Sequence, residues 1–358
     1  MSLDTHLSEA RRQIEICNAC RYCEGFCSVF PAMTREKAFA DGDLTHLANL
    51  CHNCRGCYYS CQYTEPHEFA LNIPAALAEV RQDSWERLVG PQVLAKAFHR
   101  SGVAIAAVLV FGFALLMALI SMMRPVSGEG FYAELSHNLM VALFAPAFLL
   151  PLYAVAVGLR RYWVETGAPK MALRDVLTAF KQAGQLKNLN GGQGQGCNFE
   201  REDRYTDARR WFHQAVLFGF LLCFAATSVA TLMHYLLDLK APYPLLSLPK
   251  MFGITGGVLL VIGTIGLGWL KTKADPELGA KRVWGGEMGF IALLGFTAAS
   301  GLALYAATGR AVMPTLLVLH LGAVATLFLL LPYTKMVHGF FRLTALIAEE
   351  AIKRRGSM

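Results

Sequence analysis

The chain has 358 residues, 54% of them hydrophobic and only 16% charged. A soluble globular chain carries about 25% charged residues, so the composition excludes an ordinary soluble enzyme and leaves a membrane protein with a polar head. The net charge of +7 sits in basic gaps between apolar blocks, which makes a nucleic-acid partner unnecessary.

In chain order, the opening residues MSLDTHLSEARRQ contain no apolar core, so no signal peptide is expected. Eight of the ten cysteines follow within the first 61 residues, in CNACRYCEGFC (17–27) and CHNCRGCYYSC (51–61). Without an export signal, disulfides are the weaker explanation, and cysteines two residues apart can aim both sulfurs at one point. Zinc prefers separated C-x2-C pairs, four ligands per ion. Three cysteines at x2 intervals and a fourth after x3 form instead the bacterial ferredoxin run, in which the fourth sulfur reaches the other [4Fe–4S] cluster. That exchange assigns Cys17, Cys20, Cys23 and Cys61 to one cluster and Cys51, Cys54, Cys57 and Cys27 to the second. One departure stands out: the ferredoxin run has proline directly after its fourth cysteine, whereas here the prolines come later, at Pro31 and Pro66. His46, His52 and His67 are expected at the surface or as donors behind the ligands. IPAALAEVRQDSWERLV, with Pro74 placed for a helix start, reads as an amphipathic helix packing this domain on the membrane. Residues 1–98 are thus a ferredoxin-like, α-helical domain with a linker helix.

Residues 99–358 form the membrane domain. Six apolar stretches, near 103–123, 135–157, 211–237, 251–270, 288–307 and 314–336, suit a hydrocarbon layer about 30 Å thick. Pro146 and Pro151 kink the second. With residue 1 in the cytoplasm, the loop 158–210 carries ten basic residues, the loop 271–286 carries Lys271, Lys273, Lys281 and Arg282, and the tail carries Lys353, Arg354 and Arg355. The opposite connections hold only Arg124, Lys240, Lys250 and Arg310. This lysine–arginine bias predicts a multi-pass cytoplasmic-membrane protein with its cysteine domain on the cytoplasmic side.

Ionisable residues within spans point to function. The third span carries His213 and His234; the sixth carries His320 and, at its end, His338. The eighteen residues from 320 to 338 make about five whole turns of one helix and put both rings on the same face, about 27 Å apart. From 213 to 234 the separation is about 31 Å, with roughly 60° of mismatch. Two antiparallel helices with histidines at matched depths make two bis-histidine sites for b-type haem: His213 with His338 inside, His234 with His320 outside. A single haem, or none, is the alternative count. His137 is the rival ligand or a quinone contact, His99 an interface residue and Cys223 an apolar filler.

The loop NLNGGQGQGCNF (188–199) has glycines at 191, 192, 194 and 196. It lacks the strand and helix that a dinucleotide site needs and reads as a flexible lid over the cluster domain or a docking loop. Cys197 has no obvious cysteine partner and is not expected to be a ligand. No residue looks like a general base for a carbon acid.

The two cysteine runs, EPHEFALNIP after the second, the six-span domain and GGQGQGCNF together resemble the tricarballylate, or citrate, utilisation protein B family over essentially the whole chain. The resemblance implies electron transfer from a partner FAD-dependent dehydrogenase, a tricarballylate dehydrogenase making cis-aconitate, to the quinone pool. The histidine pattern also resembles the haem subunits of respiratory nitrate reductase and heterodisulfide reductase. Two further readings stay open: a haem and iron–sulfur subunit of another respiratory oxidoreductase, or a transporter with a redox-sensing iron–sulfur domain. For a transporter the broken-helix signal would be GITGGV in the fourth span.

Overall fold

The computed structural model describes residues 3–123, 135–191, 194–199, 204–239, 241 and 243–356. Arg124, Gly192, Arg201 and Lys240, named above, lie outside the described residues.

The N-terminal domain is helical. In α1 (Leu3–Cys20) Leu7, Ala10 and Ile14 recur at helical spacing and are buried on one face. The short α2 (Val29–Met33) and α3 (Asp41–Leu50) follow. The Asp43 carboxylate accepts from the Ala40 N–H at 2.9 Å and so satisfies a backbone donor at the start of α3. After α4 (Gly56–Tyr59), α5 (Ile73–Val89) begins with Pro74 in its first turn and with the Asn72 side chain accepting from Ala75 N at 3.1 Å, a capping arrangement. It ends at Gly90, whose φ of 53° favours glycine. Ile14, Phe30, Met33, Leu44, Leu47 and Leu77 close the core between these helices. Burying a side chain of that size contributes about 1.5–3 kcal/mol.

The apolar helices are α6 (Gln92–Met122), α7 (His137–Glu165), α9 (Ala208–Leu237), α10 (Leu248–Lys273), α11 (Trp284–Ala306) and α12 (Met313–Leu329). Between α7 and α9 lies α8 (Leu173–Gly184), and α13 (Val337–Gly356) ends the fold. Residues 92–98, read as linker, belong to the first apolar helix. Among the described residues, five helices are long and apolar enough to cross a membrane, α11 together with its 3-10 lead-in; α12, at 17 residues, is shorter. Pro146 and Pro151 lie inside a continuous α7, as membrane helices permit. GITGGV lies within an uninterrupted α10, which removes the broken-helix signal for a transporter. Helices α9 and α10 cross where a Cβ on Gly219 would stand 2.8 Å from the Gly256 carbonyl oxygen, and the converse holds for Gly256. Only glycine allows that approach.

The sixth stretch corrects one expectation. α12 stops at Leu329, a 3-10 turn with Pro332 spans Leu331–Tyr333, and α13 starts afresh at Val337. Proline lacks the amide donor and clashes with the preceding turn. His320 and His338 therefore sit on different helices, and the five-turn argument for a shared face does not apply.

α13 turns back onto the N-terminal domain and packs on α3, α7 and α8. Phe341 is buried against Trp85 and Tyr162. Arg282, in the connection before α11, bonds Glu79, Asp83 and Glu86 of α5. Arg209, at the start of α9, donates to Asn53 O. The loop before α9, the loop before α11 and the basic tail all lie on the cysteine-domain side.

Candidate redox centres

The two cysteine runs use one backbone device. Arg21 and Arg55 each follow the second cysteine of their run, and each adopts a left-handed conformation (φ 57° and 70°). A single left-handed residue reverses the chain and folds each run back on itself. Cys17 and Cys20 ride the end of α1, Cys27 precedes α2, Cys51 follows α3, and Cys57 lies in α4.

Electrostatics divide the thiols into two sets. Burial, then Cys61, Cys23 and Cys20, pushes the Cys17 thiol up to about 12. Burial, then Cys61 and Cys20, pushes Cys23 up to about 11. Burial raises Cys27, with Cys54 and Cys51 as its cysteine neighbours. Cys57 is raised by burial, then by Cys54, Cys27 and Cys51 ahead of Cys23. By mutual influence Cys17, Cys20, Cys23 and Cys61 group together, and Cys27, Cys51, Cys54 and Cys57 form the second set, with Cys57 also within reach of Cys23. The first set lines a cavity of about 240 Å³ that Cys57 also borders. Cys20 is exposed and Cys51 is buried.

Among the described residues, no three His, Cys, Asp or Glu side chains form a group suited to a single metal ion. The surroundings of the second set fit an anionic cluster. Arg81 donates to Cys51 O at 2.9 Å and Ala48 O at 3.3 Å, Arg342 to Cys51 O at 2.7 Å, and Arg209 to Asn53 O at 2.8 Å. Burial is the main influence lowering Arg81 and Arg342 from the usual arginine range, and Arg81 adds to it at Arg342; Cys51 is the leading opposing group at each.

The glycine loop is tied onto this second set. Asn198 N donates to Cys54 O at 2.9 Å, and Cys197 and Thr206 exchange backbone bonds at 2.9 and 3.1 Å. A Cβ on Gly191 would stand 2.0 Å from Gly196 O, and Gly191 also has positive φ, so the turn demands glycine. Cys197 is 1% exposed, donates to Leu189 O, and lies within electrostatic reach of Cys54. The expectation that Cys197 has no cysteine nearby is corrected: the bond from Asn198 N to Cys54 O brings the loop of Cys197 to Cys54 across 143 residues of sequence. Phe199 was also missed; Arg55 and Arg209 both cover its ring, at 4.7 and 4.3 Å.

Of the other histidines, His46 departs from a surface position. His46 is buried and bonds Tyr162 at 3.0 Å and Glu349 at 3.3 Å. His52 bonds Leu50 O at 2.7 Å. His67 packs with Tyr63 and Phe69. His99 is 7% exposed and bonds Gln82, joining α6 to α5.

In the membrane domain, His213 of α9 and His338 of α13 meet edge to face, with ring centroids 5.7 Å apart. The His338 Nδ1 bonds Lys335 O, which leaves Nε2 free of that bond. Burial, then His213, lowers His338 well below its ordinary value, and neutral imidazole is the form that binds iron. At the other end, His234 stacks on His137 at 4.2 Å, and His137 Nε2 bonds the Tyr235 hydroxyl at 2.8 Å. His320 of α12 faces α11, its Nδ1 at 3.1 Å from both Thr297 O and Ser300 Oγ. The structure brings His213 to His338 but sets His234 against His137 rather than His320. The physical reason is the pairing of helices: α9 packs along α10, whereas α12 packs on α6, α11 and α7.

With this geometry in place, comparison with known proteins is informative. The profile described as Citrate utilization protein B matches residues 92–357, and that described as Citrate utilization protein B Fer4-like domain matches residues 10–86. The chain belongs to the citrate utilization protein B family. The Escherichia coli citrate utilization protein B is 42% identical over 354 residues, covering 98% of this chain and 93% of that relative. No solved structure matches. The family's Fer4-like segment holds all eight clustered cysteines, which points to iron–sulfur binding, and its second segment holds His213, His234, His320 and His338. The two segments part between residues 86 and 92, where α5 ends and α6 begins.

Proposed function

We propose that this family member carries electrons from a flavoprotein dehydrogenase, a tricarballylate dehydrogenase by resemblance, through two [4Fe–4S] clusters and b-type haems to the quinone pool. The carrying observation is one of placement. Eight thiols fall into two sets of four, and arginines on α9 and α13 bond the loop of the second set. These are the same two helices that carry the His213–His338 pair.

When bound, iron–sulfur clusters and haems supply one-electron transfer without making a substrate bond. The protein's residues hold and insulate these stages. Cys20 is exposed, so the first set faces the donor. The second set lies under the glycine loop, against the membrane helices. His213 and His338 are the proposed ligands of the inner haem; the His338–Lys335 bond orients that ring, as a supporting bond does for a ligating imidazole. The outer haem is proposed on His234 and His320, with His137 as the competing imidazole. The bond of His320 Nδ1 to Thr297 O holds its ring against α11, where a Cβ on Gly301 would stand 3.5 Å from Nε2.

Six crossings are proposed. After five crossings the chain would stand opposite the cysteine domain, yet α13 packs on that domain. The 17-residue α12, about 25 Å long, is therefore the returning span. The lysine–arginine bias supports a cytoplasmic cysteine domain in the inner membrane.

The test is an anaerobic preparation of the full chain, assayed for iron, acid-labile sulfide and the dithionite-reduced optical spectrum. Both elements and b-type bands are expected. Absence of iron and sulfide overturns the cluster reading, and clusters without haem bands favour the redox-sensing alternative. Cys61→Ser and Cys27→Ser should each abolish a different cluster's paramagnetic signal and remove about half the iron. Loss of the same signal in both variants would overturn the exchange of fourth ligands.

A further inference from the structure

Three guanidinium groups converge on the second cysteine loop from three helices: Arg81 on α5, Arg209 on α9 and Arg342 on α13. All three donate to its backbone carbonyls. Arg81 is 4% exposed, and the Arg342 Nε is buried without a hydrogen-bond partner. Among the described residues, no Asp or Glu ion-pairs with any of the three. Glu287, the carboxylate within electrostatic reach, is already held by Lys271 and Lys335. Removing an unpaired cation from water costs several kcal/mol. Arg81 is buried and Arg209 and Arg342 are half-buried, and the loop that carries Cys51, Cys54 and Cys57 is what all three bond. The residues lining the cavity of the first set include no lysine or arginine.

We propose that Arg81, Arg209 and Arg342 are positioning residues that raise the reduction potential of the cluster on the second set above that of the first. This rests on the cluster reading of the previous section. One electron leaves the first cluster, which is oxidised, and enters the second, which is reduced. The added negative charge arrives where three cations wait, in a medium that screens them little. The asymmetry gives the wire a direction, from the exposed set toward His213 and His338.

The test is a potentiometric titration of the full-length protein in detergent, followed by paramagnetic resonance. Wild type should show two one-electron waves. Arg342→Gln and Arg209→Gln should lower only the higher wave, by at least a tenfold change in its reduced-to-oxidised ratio, equal to 59 mV for one electron. Iron and sulfide should stay at the wild-type level. Arg342→Lys keeps the charge and should keep the wave. Arg209 is only partly buried, so its variant remains informative where Arg342→Gln fails to fold. Unmoved waves with both clusters loaded, or movement of the lower wave instead, would overturn the proposal alone. Wild-type protein without iron and sulfide would overturn the cluster reading as well.

Discussion

Arg209 and His213 stand one turn apart on α9, and His338 and Arg342 stand one turn apart on α13. Residues four apart share a helix face, so each helix offers an arginine to the cysteine loop and a histidine to the membrane domain. Replacing His338 by alanine should abolish one b-type haem spectrum while leaving iron and sulfide intact, measured by reduced-minus-oxidised optical difference. The outer site separates in the same way. His320→Ala should abolish the second spectrum, whereas the same loss in His137→Ala with His320→Ala silent would move the ligand to α7. Cys197→Ala should keep the full iron content, because both sets are complete without it; a fall of about half would make Cys197 a ligand. The cysteine runs were legible at this scale because their ligand spacing is local. The approach of the Cys197 loop to Cys54 and the His137–His234 contact were not, because nothing in either segment names its partner.

α13 is the element that joins the two halves. Its Glu349, with a side chain 2% exposed, bonds Arg35 at 2.6 Å and His46 at 3.3 Å. Burial alone would raise this carboxyl, but the bonds from His46 and Arg35 together outweigh it and hold it down at about 2, against an ordinary 4.5. A lowered carboxyl stabilises the fold above its unfolded value and loses that contribution as pH falls. The clamp should be at full strength above about pH 4.5 and should fade toward pH 2. Glu349→Gln should cost about 1–3 kcal/mol at neutral pH and flatten the acid limb of stability, read as Tm in detergent across that range. The apolar runs made most helices legible. The split between α12 and α13 was harder to read, since Pro146 and Pro151 lie in an unbroken α7 while Pro332 coincides with a real break. A proline is tolerated where neighbouring helices satisfy the freed carbonyls. Sequence alone does not say which helices will be neighbours.

Across the whole molecule, charge and packing agree on sidedness. The loop before α9, the loop before α11 and the basic tail all meet the cysteine domain. Topology reporters fused after residue 273 and at the C-terminus should therefore report the same, cytoplasmic compartment. A reporter exported from the C-terminus would remove α12 as a crossing.

Chemistry and partition were written in the linear chain. Cysteine spacing points to an iron–sulfur domain, and apolar length points to a multi-pass membrane protein, because ligand geometry and transfer into lipid depend on local composition. Partnership was decided only by the tertiary structure. The three arginines beside Cys51, the glycine loop over Cys54, the His213–His338 meeting and the stacking of His234 on His137 join residues far apart in sequence. Which helices lie side by side depends on packing summed over the whole domain, and no single segment carries that sum.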